Sequence, residues 1–190
     1  MNKINIKINI NKDAWNWWDA CNKVSYGVKW SERISGDIKG KIIGQGKKQA
    51  LSVLSPYLQW LYKKEDMVVK AVEVSKVFAA VSAEIFRRME KVTGRKIYRD
   101  SFTIFLTTFP RAAYDFSKGY VWLPVVWPEE TYIRTFLHEL LHFQTYAYWS
   151  KYQKEVGNER FEDAKEALTI ILRIVTELPG VSATGSTNDR

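Results

Sequence analysis

Isoleucine alternates with polar residues at the start of the chain. Ile4, Ile6, Ile8 and Ile10 are spaced by Asn and Lys, the period of a half-buried strand over residues 1–10. Residues 13–33 carry Trp15, Trp17, Trp18, Cys21, Val24 and Val28 at mixed spacing, which predicts a helix with aromatic packing. In residues 35–48, Gly36, Gly40, Gly44 and Gly46 interleave with Lys39, Lys41, Lys47 and Lys48, the pattern of a basic loop or hairpin. A phosphate-binding loop would need a Gly-Lys-Ser/Thr ending, and Gly46-Lys47-Lys48 lacks the hydroxyl that meets magnesium. Residues 49–91 read as helical, with Pro56 interrupting or kinking the run and Gly94 placed where a helix stops. Met67, Ala71, Val74, Phe78, Val81, Ile85 and Met89 recur at three and four, so this stripe is a core face.

The second half predicts a strand at 102–109, a loop at 110–118 and a second strand at 120–126. Pro124 argues that this second strand lies at a sheet edge, because proline donates nothing to a ladder. A long helix follows over 129–154, with Glu129 and Glu130 in its first turn and Gly157 beyond its end. A last helix spans 161–178, and the Gly-, Ser- and Thr-rich tail 179–190 is expected to be disordered. No internal linker interrupts the pattern, so the economical organisation is one α+β domain over 1–190.

Composition agrees: 46% apolar and 14% aromatic residues in 190 suffice for a packed core, and no apolar run is long enough to cross a bilayer. The polar-interrupted N-terminus is not a signal-peptide pattern, and Cys21 has no cysteine partner, so a cytoplasmic location is expected. The net charge of +8 is uneven. Residues 1–100 hold 20 Lys/Arg against 10 Asp/Glu, and residues 101–190 hold 9 against 11. A basic half could attract nucleic acid or another acidic partner, but no nucleic-acid motif accompanies it.

Candidate chemistry lies in His138-Glu139-Leu140-Leu141-His142, an H-E-x-x-H on the long helix. At about 100° per residue the histidines are about 40° apart and one turn along, so both imidazoles can converge on one ion. That is zinc-ligand spacing, and Glu139 beside them can take a proton from metal-bound water. Ile133, Phe136, Leu137, Leu140, Phe143 and Ala147 cluster on the other side, about 160° from the histidines. The alternative is therefore a pair of solvated histidines on an exposed helix face. With two His in the chain, a four-residue spacing followed by Glu arises by chance roughly once in 1,400 placements.

Catalytic zinc usually takes three protein ligands, and no third His exists. The remaining candidates are Glu162, Asp163 and Glu166 on the next helix, with Cys21 a weaker one. The H-E-x-x-H followed by a helix-borne glutamate resembles the gluzincin branch of zinc metallopeptidases, and the small size resembles the minigluzincins. The resemblance covers residues 102–178. Residues 1–100, expected to form an N-terminal strand and helices, match no family pattern.

The resemblance implies a zincin-like core over 101–178, with a small, mainly antiparallel sheet, an active-site helix and a glutamate-bearing helix after it. It implies zinc held by His138, His142 and Glu166, because Glu166-Ala167-Leu168-Thr169 resembles the corresponding stretch of small members; Glu162 would then orient a ligand histidine. It implies that Glu139 is the general base, that the strand at 120–126 binds an extended peptide substrate, and that a tyrosine such as Tyr120, Tyr146 or Tyr152 could stabilise the oxyanion. The expected activity is peptide-bond hydrolysis. The alternative is a non-catalytic zinc-binding or basic interaction protein built on the same fold.

Overall fold

The alternating isoleucines form β1 (Lys3–Ile8), after which the Asn9 side chain caps α1 (Ile10–Asn22) by accepting from the Lys12 N–H at 3.0 Å. A single 3-10 turn (Trp30–Arg33) leads to α2 (Gly36–Ile42), α3 (Lys47–Lys64) and α4 (Met67–Thr93). Strands β2 (Ser101–Thr107), β3 (Ala113–Asp115) and β4 (Tyr120–Pro124) precede α5 (Glu129–Trp149), α6 (Gln153–Val156) and α7 (Asn158–Val175). This computed structural model describes residues 2–23, 28–34 and 36–175; the expected tail at 179–190 lies outside them.

The fold is α+β, as expected, but the sheet is not mainly antiparallel. Its order is β1-β2-β4-β3, with β1 parallel to β2, β2 parallel to β4, and only β3 antiparallel to β4. The mixture follows from the connections. Long helical crossovers return β2 in parallel beside β1, whereas the short turn containing Gly119 (φ 66°) folds β3 back on β4.

Two further expectations change with it. The 110–118 segment contains the edge strand β3, and β4 lies inside the sheet. Pro124 is tolerated because β3 pairs only as far as Trp122, leaving no partner there on that side of β4, while Val125 donates to the Thr107 carbonyl at 2.8 Å.

One face of the sheet (Phe102, Ile104, Leu106, Val121, Leu123) packs against the predicted α4 stripe and the apolar side of α5. Phe105, Thr107 and Trp122 face α1, where the Trp15 and Trp122 rings lie 5.0 Å apart. A second cluster joins α1, α2, α3 and Phe109.

Residues 36–42, expected as loop, are helical because Ile38 and Ile42, one turn apart, are both buried in this cluster. Burying two isoleucines outweighs the roughly 1 kcal/mol that each glycine costs a helix. Pro56 does not end α3. The break falls at Glu65–Asp66, where Asp66 adopts φ 45° and caps α4. Gly94 (φ 62°) ends α4 as expected. The long helix stops at Trp149, short of residue 154, and a 3-10 turn and α6 lead to Gly157.

Candidate metal centre

α5 turns its apolar side to the sheet, which leaves the opposite side for His138 and His142. That side is only partly solvated. α7 packs alongside it and Tyr114 of β3 closes over it, with ring centres of Tyr114 and His142 5.7 Å apart. His142 retains only 2% exposure, Glu139 7%, and the His138 side chain 37%.

Nε2 of His138 lies 3.7 Å from one oxygen of Glu166, and Nε2 of His142 lies 3.5 Å from the other. The imidazole centroids are 4.3 Å apart. Tetrahedral zinc with bonds of about 2.1 Å separates its ligand atoms by about 3.4 Å, so these spacings suit such an ion. Glu139 stands on the other side of His142, with Oε2 3.5 Å from Nδ1. His138, Glu139 and His142 can also bring one ligand atom each within 4.8 Å of one another. The two arrangements differ in geometry: Glu166 meets Nε2 of both rings, whereas Glu139 meets Nδ1 of one.

Both ring nitrogens of His142 and Oε2 of Glu139 are buried without a hydrogen bond. Buried polar atoms ordinarily find partners, so this cluster has the donor atoms and the unmet valence of a cation site. Burial pushes the Glu139 carboxyl up to about 7, reinforced by Glu166 and opposed by His138 and Lys165. Burial and then the Lys165 charge push the His142 imidazole down to about 4, against the pull of Glu166 and Glu162. A neutral His142 is the form that ligates metal.

Glu162 does not touch either histidine. It accepts from Tyr146 Oη at 2.6 Å and from Lys165 Nζ at 2.5 Å, and although burial alone would raise its carboxyl, these bonds hold it below the usual range. Lys165, wholly buried, also donates to Tyr114 Oη at 3.1 Å and lies 3.8 Å from Glu166. Asp163 is exposed. Cys21 belongs to the second apolar cluster, and burial pushes its thiol up to about 11, the opposite of a ligand thiolate.

Of the tyrosines considered from sequence, Tyr146 is near the site but engaged with Glu162. Tyr120 packs on Phe105 and Trp122, and Tyr152 is 42% exposed. Tyr114 lines the site instead. It lay in a segment read as loop, and no spacing distinguished it.

The cluster opens on a cleft of about 570 Å³, which Trp15, Asp19, Lys23, Trp30 and Arg111 also line. Residues 1–100 thus build one wall of it. Among the described residues, no helix is long and apolar enough to cross a membrane. Searches of protein-family models, curated proteins and solved structures find no match to this chain.

Proposed function

We propose that this protein is a zinc-dependent peptidase of gluzincin type, with His138, His142 and Glu166 holding the ion. The observation that carries the reading is that Nε2 of each histidine faces its own oxygen of Glu166 at 3.7 and 3.5 Å. Zinc so held supplies a Lewis acid and water acidified towards about 7.

Glu139 is the residue for proton movement. It lies within the H-E-x-x-H turn, and its carboxyl is buried beside His142, where a carboxylate can take up and return a proton. Tyr114 lines the cleft beside it, held from behind by Lys165, which donates to its Oη at 3.1 Å. The outer edge of β3 is free of a strand partner among the described residues, so an extended peptide can add there and lie along the cleft. This role falls to β3 and not to the strand at 120–126.

The test is metal content and peptide hydrolysis of wild type beside Glu139→Gln. The variant is expected to keep zinc and to lose about 10²–10⁴-fold in rate. Undiminished hydrolysis would remove Glu139 as the base. Zinc without hydrolysis in wild type would favour a non-catalytic zinc protein.

A further inference from the structure

The cleft lining holds a guanidinium that the proposed chemistry does not use. Arg111, 7% exposed, lines the cleft just after β2. Its Nη2 donates to Asn16 Oδ1 at 2.8 Å and Asp19 Oδ2 at 2.9 Å, and its Nε approaches Asn16 Oδ1 at 3.3 Å. The backbone is fixed as well, because the Arg111 carbonyl accepts from Asn16 Nδ2 at 3.2 Å and its N–H donates to Phe109 at 2.8 Å. These bonds occupy Nε and Nη2. Nη1, with two N–H donors, meets no acceptor among the described residues.

The surroundings favour an anion. Arg111 and Lys23 both pair with Asp19, at 2.9 and 2.5 Å, so two cations share one carboxylate at this part of the cleft lining. Trp15 and Trp30 line the same cleft and add aromatic surface to it. A guanidinium held by α1 before any ligand arrives pays little ordering entropy on binding.

We propose that Arg111 Nη1, in the cleft that Trp15 and Trp30 also line, forms a subsite for a carboxylate of the peptide substrate. The carboxylate is either the chain terminus or an acidic side chain. This deepens the peptidase reading and rests on it for the occupant, but binding can be measured without zinc or hydrolysis.

The experiment uses the full chain stripped of metal by chelation and titrated calorimetrically with two probe pairs. N-acetyl-trialanine against its amide tests a terminal carboxylate, and N-acetyl-Ala-Glu-Ala-amide against its Gln counterpart tests a side-chain carboxylate. At least one acidic probe is expected to bind about 10- to 100-fold more tightly than its neutral partner, the range for a hydrogen bond to a charged group. Whichever pair discriminates identifies the source. Arg111→Met and Arg111→Lys, each checked for folding by circular dichroism, are expected to bring that ratio towards one. Equal binding within both pairs by wild type overturns the proposal even if neither variant folds, and so does discrimination that survives in a folded Arg111→Met protein. Loss of the peptidase reading alone leaves these ratios unchanged.

Discussion

Lys165 Nζ lies 2.5 Å from Glu162 Oε2 with the lysine wholly enclosed, so an ion pair is held inside the protein next to the candidate metal ligands. Its partners include Glu162, Glu166, Tyr114 and Tyr146. Lys165→Met keeps the bulk but leaves Glu162 without its cation. Breaking a buried pair costs about 3–5 kcal/mol, and because the Glu162 side chain is 32% exposed the expected loss is about 2–3 kcal/mol, read from urea unfolding. A loss under about 0.5 kcal/mol would mean that the ion pair contributes nothing net.

Glu166 and Glu162 are one turn apart on α7, yet only Glu166 faces the histidines. Removing a group that merely supports a ligand costs roughly 10–100-fold in metal affinity, so Glu166→Ala is expected to lose more than about 100-fold. Glu162→Ala should stay within that supporting range. Zinc titration of both variants decides, and the reverse ranking would make Glu162 the third ligand.

Asp13 joins α1 to the end of β2, accepting from Thr107 Oγ1 and from the N–H and Oγ1 of Thr108, and burial pushes its carboxyl up from 3.8 to about 6. A raised acid favours the protonated fold. Its contribution is full below pH 4 and is lost as pH rises through about 6, a span of about 3 kcal/mol. In Asp13→Asn that fall is expected to vanish. Denaturant unfolding of both proteins between pH 4 and 7 measures the difference, and parallel curves would refute the assignment.

Phe102 sits where the sheet meets both long helices, its ring centre 5.9 Å from Phe86, 6.0 Å from Phe136 and 5.7 Å from Phe143. Phe102→Ala is expected to cost about 3–5 kcal/mol, because three rings cannot close around the space it leaves. A thermal melt beside wild type checks this, and a loss below about 1 kcal/mol would show that the aromatic cluster can collapse.

Periodicity exposed what repeats along the chain. The isoleucines of β1, the α4 stripe and the apolar side of α5 are all where their spacing puts them, and so is the pairing of His138 with His142. The resemblance also drew attention to Glu166, whose carboxylate oxygens lie 3.7 and 3.5 Å from the two histidines; its role as a ligand belongs to the proposal. Sequence missed β3 because three residues show no period, and α2 because its glycines masked Ile38 and Ile42. Pro124 misled because a proline reports on one missing N–H, not on which strand lies beside it. Burial of His142 was hidden for a related reason: a wheel drawn on α5 cannot know that α7 and Tyr114 will cover the polar side. Lys165 and Arg111 were invisible because their partners stand on other elements, Arg111 meeting residues 92 and 95 positions earlier.

The parallel pairing of Ile4 with Phe102 has a consequence for synthesis. The first strand leaves the ribosome while its neighbour, 97 positions away by the Asn5 to Phe102 bond, is still untranslated. A nascent β1 therefore waits with both edges bare. Lys3 and Lys7, exposed between its isoleucines, repel other copies of the same segment emerging nearby and protect it during that delay.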